Sequence, residues 1–393
     1  MVINVKLTNL LAYSSLVVRR VSHLGKHHGD FPYQLLLSKP TPLFHHKKQI
    51  QTVVPSTSTK NVTVPVENTP TADSLVRLDL EGLYEDIREG LSETQPELKL
   101  IAQYYFNGEG KAIRPVITMC MARAINFHLD QNTPYVLQKQ KKIAQIAEMI
   151  HTASLVHDDV IDVADSRRSR PSVNIVWGQR KSIIAGDFIL AMASKMLARL
   201  QNKQVIILLS QVLADLVQGE FMQLGARENK DERFAHYSEK TFKKTASLIA
   251  YSCQAVSVLS GADSTLQAVA FQYGRQIGMA FQLVDDLLDF IATSAQLGKP
   301  VAADLRLGLA TAPVLFAAQK FSELNPLILR RFQEPGDAET AFRLVLRSDG
   351  LQRTKDLAHQ YCNDAVTQIA QLTPSPYQQA LVTLAHQLLH RMK

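Results

Sequence analysis

Beyond about residue 76, apolar residues recur at three- and four-residue steps, while the strict alternation of a half-buried strand is scarce. From Lys141 to Asp162 the recurring positions are Ile143, Ile146, Ala147, Ile150 and Ala153. From Asp263 to Ile291 they are Leu266, Ala270, Tyr273, Ile277, Ala280, Phe281 and Val284, entered through the cap-type residues Asp263 and Ser264. Helix-period stretches also cover 183–200, 204–224, 241–260, 311–320, 338–347 and 351–371. Turn chemistry separates them at Asn107-Gly108, Gly298-Lys299-Pro300, Pro335-Gly336, Asp349-Gly350 and Pro374-Ser375-Pro376. The pattern predicts one all-α bundle over 76–393. Residues 30–75, with Pro32, Pro40, Pro42, Pro55, Pro65 and Pro70 among polar neighbours, read as a linker. No uninterrupted apolar run reaches the ~18 residues of a spanning helix, so no transmembrane segment is predicted.

Composition changes this picture at one end only. The net charge is +7, from 43 Lys/Arg and 36 Asp/Glu, but residues 1–66 hold eight of the bases and a single acid, Asp30. The remainder is neutral, with 35 of each, and lacks the global basic footprint of a nucleic-acid-binding protein. The N-terminus is poor in acids and rich in Ser, Thr and His, and its apolar stretch Leu10–Val18 is followed by Arg19 and Arg20. It reads as a mitochondrial transit peptide leading to the matrix side, with a disordered basic tail as the bland alternative, so 1–75 is expected to be transit peptide plus linker. Cys120, Cys253 and Cys362 form no C-x-x-C pair and read as small buried hydrophobes rather than a disulfide or zinc scaffold.

The chemistry lies in two echoes of one pattern, Asp158-Asp159-x-x-Asp162 and Asp285-Asp286-x-x-Asp289. On a helix, Asp158 and Asp162 project from one face, as do Asp285 and Asp289, and the middle carboxylate lies about 100° around. Three carboxylates within five residues repel one another, and a hard divalent cation offsets that repulsion well. Either motif alone could be a solvated acidic face. Both, however, close strongly apolar helices, where carboxylates need charge partners. Basic residues stand nearby: Arg167 and Arg168 beyond the first cluster, and Lys111 and Arg114 upstream in Gly-Lys-Ala-Ile-Arg-Pro, suited to phosphate oxygens. Alone, Lys111 and Arg114 would be ordinary residues at a helix start, His151 a core histidine, and Lys244-Thr245 a polar helix face.

With these motifs together, the sequence resembles the trans-isoprenyl diphosphate synthase family from G-K-x-x-R-P to the C-terminus, and within it the long-chain polyprenyl synthases of ubiquinone biosynthesis. The segments Ser238–Gly261, Gly298–Leu315 and Phe332–Gly350 carry the finer resemblance, to a catalytic subunit of such enzymes. The resemblance implies a helical isoprenoid synthase bundle with a central cavity, and about three Mg²⁺ ions held by Asp158, Asp159, Asp162, Asp285, Asp286 and Asp289. It assigns the allylic diphosphate to Arg167, Lys244, Thr245, Gln282 and Lys299, and the isopentenyl diphosphate to Lys111, Arg114, His151 and Arg168. It implies catalytic roles for Asp158, Asp162, Asp285, Arg167 and Lys244. A homodimer or a hetero-oligomer with a divergent second subunit is implied, and contact with the inner-membrane surface stays open. The family commonly has Gly after the Arg pair, where Ser169 stands here, so the loop geometry around Arg168 is a point of departure.

Small residues at Ala153 and Ser154, one turn before Asp158, and at Ala147 and Ala144 leave room for a growing tail, implying a product of about eight to ten isoprene units. They would equally let helices pack closely. Two other functions fit parts of the pattern. A class I terpene cyclase shares the fold and first motif but not the second motif or the second set of cations. A non-catalytic partner subunit would share the bundle but not all six aspartates.

Overall fold

The computed structural model describes residues 71–108, 112–168, 170–225, 231–291 and 302–390. Among these the chain runs through α1 (Ala72–Leu80), α2 (Leu83–Gly90), α3 (Pro96–Gln103), α4 (Ile113–His128) and α5 (Pro134–Ile161). A two-residue hairpin follows, β1 (Ser166–Arg167) with β2 (Arg170–Pro171), antiparallel with Arg167 opposite Arg170. Next come α6 (Val173–Trp177), α7 (Gln179–Arg199), α8 (Lys203–Leu224) and α9 (Arg233–Thr241), which passes through a π turn at Phe242–Ala246 into α10 (Ser247–Leu259). The chain ends with α11 (Ser264–Ile291), α12 (Ala303–Arg306), α13 (Ala312–Lys320), α14 (Leu324–Leu329), α15 (Asp337–Leu346), α16 (Gly350–Ile369) and α17 (Pro376–His390). The all-α expectation is met, since the hairpin is the only sheet among the described residues.

Several boundaries differ from the periodicity for physical reasons. α5 starts at Pro134 rather than near Lys141, because the Thr133 hydroxyl caps the Val136 N–H and Pro134 is preset for the first turn. Its first turn, Pro134-Tyr-Val-Leu137, is a single apolar run followed by Gln138-Lys-Gln-Lys-Lys142, so the three- and four-residue repeat shows only from Ile143 onward. α1 starts at Ala72, inside the stretch read as linker; Thr71 caps it, and Ala72 and Val76 are buried in the main core. α8 is long and apolar enough to span a membrane by length and composition, although polar residues interrupt it.

The two longest helices organise the core. α5 packs on α4, α7 and α10, and α11 packs on α10 and α16. α10 lies between them and is buried on almost every side, from Ser247 through Ser257. The motif-bearing ends of α5 and α11 are thereby held on either side of one central helix. The three cysteines are free and buried, and burial pushes the Cys120 and Cys362 thiols up to about 12.

Candidate active site

Both motifs close helices whose last turns carry no basic residue. A carboxylate at a helix C-terminus meets the negative end of the peptide dipoles, so cations must come from elsewhere in the fold. At the end of α5 the middle carboxylate turns inward. Asp159 is fully buried and accepts hydrogen bonds from the Tyr105 hydroxyl at 2.9 Å and from Arg167 Nε at 2.7 Å. Tyr105 also accepts the Val173 N–H at 3.2 Å, which braces the segment after the motif against α3. Asp158 stays half-buried and Asp162 exposed. Burial pushes Asp158 up to about 6; Lys244 pulls it down, while Glu220 and Asp162 repel its charge. Asp162 is raised in the same sense, by its partial burial first.

At the end of α11 the division differs. Asp285 is half-buried, but Asp286 and Asp289 are both buried. Asp286 accepts from the Tyr237 hydroxyl at 2.6 Å, Gln282 Nε2 at 2.9 Å and the Ala312 N–H at 3.3 Å. Burial raises its pKa, and these donors pull it back. Asp289 accepts the Asp304 N–H at 3.1 Å, while its carbonyl takes the Ala302 N–H at 2.9 Å. Asp285 and Asp289 lie one turn apart on α11, as the spacing predicts, but burial divides them, Asp285 half-buried and Asp289 buried. The segment from Ala302 folds back over the helix end and uses Asp289 to tie down α12.

The segment entering α10 connects the two ends. Lys244 Nζ stands 3.8 Å from Asp158 Oδ1 and pairs with Glu220 of α8. Burial alone would depress this ammonium, but Asp158 and Glu220 outweigh it and hold Lys244 above its ordinary pKa. The next residue, Thr245, donates from Oγ1 to Gln282 Oε1 at 2.9 Å, and Gln282 donates to Asp286. Four residues before Lys244, Lys240 is depressed by burial, with Asp286 opposing. One helical segment thus contacts both acidic ends.

A second cationic group gathers where α4 meets the middle of α5. Arg114, in the first turn of α4, is depressed by burial; Glu148 and Asp285 stabilise its charge and Arg168 opposes it. Half-buried His151 is held well below the usual histidine value by burial and by Arg114, Arg168 and Arg167, so its imidazole is neutral near pH 7. Beneath them Glu148, almost fully buried, accepts the Tyr84 hydroxyl at 3.3 Å. The left-handed backbone sits at Arg168 itself, with φ of +52°. Lys111, Lys299, Ser169 and the N-terminal 70 residues lie outside the described residues. Ala153 is fully buried in the main core, as are Ala144 and Ala147, and the half-buried Ser154 donates to the His151 carbonyl at 2.8 Å.

Among the described residues no three His, Cys, Asp or Glu side chains form a metal cage. The donor set still suits a hard divalent ion. Asp158 and Asp162 lie one turn apart with raised pKa values, and such an ion takes its remaining oxygens from water and substrate phosphates. Sequence reasoning missed Glu148, Glu220, Lys240, Tyr105 and Tyr237. For Glu148 the signal was present, since Glu148, His151, Asp158 and Asp162 follow one helical stripe. Nothing local marks Tyr105, which lies 54 residues from its partner.

Comparison with known proteins places these residues in context. Residues 95–345 match the family model described as polyprenyl synthetase. An all trans-polyprenyl-diphosphate synthase of Homo sapiens is 58% identical over 315 residues, covering 80% of this chain and 76% of that one. A probable mitochondrial hexaprenyl pyrophosphate synthase of Neurospora crassa is 41% identical, covering 82% of this chain and 83% of that one. Among solved structures, a polyprenyl synthase from Caulobacter crescentus complexed with calcium and isoprenyl diphosphate superposes with a TM-score of 0.73 at 30% identity, over 83% of this chain and 100% of that one.

Proposed function

The chain belongs to the polyprenyl synthetase family and is a prenyltransferase, a long-chain all-trans-polyprenyl diphosphate synthase; on that premise we propose how its residues divide the work. The matched relatives carry the names of polyprenyl synthases, which lends no support to the cyclase or non-catalytic alternatives. Asp158, Asp162 and Asp285 would hold divalent ions, Mg²⁺ in this proposal and about three in number, with Asp159, Asp286 and Asp289 fixing the surrounding frame. When bound, such ions offset charge on the leaving diphosphate as its C–O bond ionises.

Lys244, Thr245, Gln282, Arg167 and Lys299 hold the allylic diphosphate. Arg114, Arg168, neutral His151 and Lys111 hold the diphosphate of isopentenyl diphosphate. Two polyanions fixed side by side present the alkene of one to the allylic carbon of the other, which supplies the proximity effect. A carbon–carbon bond forms, diphosphate leaves, and loss of a proton restores the double bond. The apolar bundle shields the allylic cation from water. The tail grows past Ala153 and Ser154 along α5 to about eight to ten units.

The observation that carries this division is Lys244, within ion-pair reach of Asp158 while the adjacent Thr245 joins Gln282 and Asp286. We place the enzyme in the mitochondrion, on the matrix side, from its basic, acid-poor N-terminus and its mitochondrial relative, with the residues before Thr71 as transit peptide and linker and the helical body from α1 onward as the catalytic domain. α8 leaves Ile207, Val217 and Phe221 about half exposed or more, an apolar stripe suited to a second subunit, whether a like or a divergent chain. Contact with the inner-membrane surface would suit the apolar product. The test is product analysis with Mg²⁺, farnesyl diphosphate and labelled isopentenyl diphosphate, for the chain alone and co-expressed with a second subunit. Long-chain product that disappears with a chelator is expected. Hydrocarbon released from farnesyl diphosphate alone, or no elongation in either preparation, would overturn the assignment.

A further inference from the structure

The buried positions along the continuous helix from Arg233 to Leu259 are out of step at one place. Arg233, Tyr237 and Thr241 are buried at four-residue intervals; the next buried residue is Ala246, five residues on, and Ala250 follows four later. The π turn over Phe242–Ala246 absorbs the extra residue, and the Ser247 N–H reaches back to the Phe242 carbonyl to close it. Both halves of the helix therefore keep a face on α11: Tyr237 bonds Asp286 before the turn, and Thr245 bonds Gln282 within it. The widened turn contains Lys243, Lys244 and Thr245.

Two glycines from different helices press on this turn. A Cβ at Gly219 of α8 would lie 2.9 Å from the Lys244 backbone nitrogen, 3.1 Å from Lys243 Cβ and 3.2 Å from Lys244 Cα. A Cβ at Gly278 of α11 would lie 2.5 Å from Ala246 Cα and 2.6 Å from its Cβ. The obstacles are mainly backbone atoms, which cannot swing aside as a flexible side-chain end can. Neither glycine has a positive φ, so close approach, and not backbone freedom, is what requires glycine there. The two lysines are anchored on opposite sides of Gly219. Lys243 donates to Gln218 at 2.8 Å and pairs with Asp215 at 3.4 Å, whereas Lys244 pairs with Glu220.

We infer that Gly219 and Gly278 are positioning residues for the known reaction: they clamp the π turn from two sides and so aim Lys244 at Asp158 and Thr245 at Gln282. The inference rests on the assignment of Lys244 and Thr245 to the allylic diphosphate. Glu220 belongs to the same device, as the acceptor that fixes the Lys244 ammonium. Clamp and simple repulsion differ in sign. If Glu220 only repelled anions near the site, its neutralisation would tighten diphosphate binding; as an anchor, its loss loosens it.

The test uses the full-length protein, with its second subunit if one is required, and the variants Gly219→Ala, Gly278→Ala and Glu220→Gln. Calorimetric binding of farnesyl thiodiphosphate with Mg²⁺ is read beside the KM for each substrate. Roughly tenfold weaker thiodiphosphate binding and a roughly tenfold higher allylic KM are expected, with the isopentenyl KM within about twofold. In a Lys244→Ala background, Gly219→Ala and Glu220→Gln should add little further loss, because the group they aim is gone. Glu220→Asp should recover part of the binding. A lower melting temperature with unchanged thiodiphosphate affinity, or an equal rise in both KM values, would overturn the clamp. Should either alanine variant fail to fold, Glu220→Gln decides by the sign of its effect. If the wild-type protein binds thiodiphosphate but Lys244→Ala binds it equally well, the site assignment fails instead, a distinct outcome.

Discussion

The two aspartate-rich helix ends share a sequence pattern but not a structure. At the end of α5, two of three carboxylates reach accessible space and only Asp159 is buried. At the end of α11 the proportion is reversed, with Asp285 alone half-exposed. The first end leaves two carboxylates accessible, as the proposed ligand contacts require. The second spends two of its carboxylates on the fold, since Asp286 ties α11 to α9 and α13, and Asp289 ties it to α12. Identical spacing therefore does not imply identical duty. The chain just beyond each helix makes the difference: a short hairpin leaves the α5 end open, while a returning segment covers the α11 end.

Substitutions can separate these duties. The largest effect on turnover is expected from Asp158→Ala, a fall of at least ~10³-fold in kcat/KM with the melting temperature nearly unchanged, measured by steady-state kinetics and calorimetry. Asp286→Ala should show the converse emphasis. It orphans the Tyr237 hydroxyl and the Ala312 N–H and should cost about 3 kcal/mol of stability in denaturant unfolding. Equal stability losses for the two variants would erase the distinction.

Ala153→Phe should leave the first condensation intact and shorten the product to farnesyl or geranylgeranyl length on chromatography; an unchanged product would remove α5 as the wall of the tail channel. The smallest effect concerns pH. His151 in the folded protein stays neutral at pH values where an unfolded histidine, with a pKa near 6.5, takes up a proton. Its contribution is therefore present above about pH 6.5 and is lost as pH falls below it, by up to ~1.4 kcal/mol per unit and less after screening at a half-buried site. His151→Asn should flatten that acid-side slope when unfolding is compared between pH 5.5 and 7.5, and an unaltered slope would show that other groups set it.

The fold class and the helices bearing the motifs were legible because α5 and α11 repeat apolar residues at three- and four-residue steps with polar residues between them, such as Gln145 and Glu148. α4 was not, since Val116 through Ala122 are all buried and, but for Thr118, all apolar, which leaves no polar positions to set a period. Within the site, Gln282 shares a helical stripe with the α11 motif, whereas Arg167 on β1 and Lys244 in the π turn took their roles from the family resemblance. Tyr105, Tyr237 and Glu220 could not be read, because their roles arise from contacts between helices far apart in the chain. The inward turn of Asp159 agrees with the 100° step of the helix. The burial of Asp289 depends on the segment from Ala302, which no local pattern announces.

If the ends of α5 and α11 hold one diphosphate between them, crystals grown with Mn²⁺ and farnesyl thiodiphosphate will show it by anomalous diffraction. Mn²⁺ peaks are expected at Asp158 and Asp162 and at Asp285, all touching a single diphosphate that also contacts Lys244. Peaks confined to one helix end, or a diphosphate bound away from both, would contradict that arrangement.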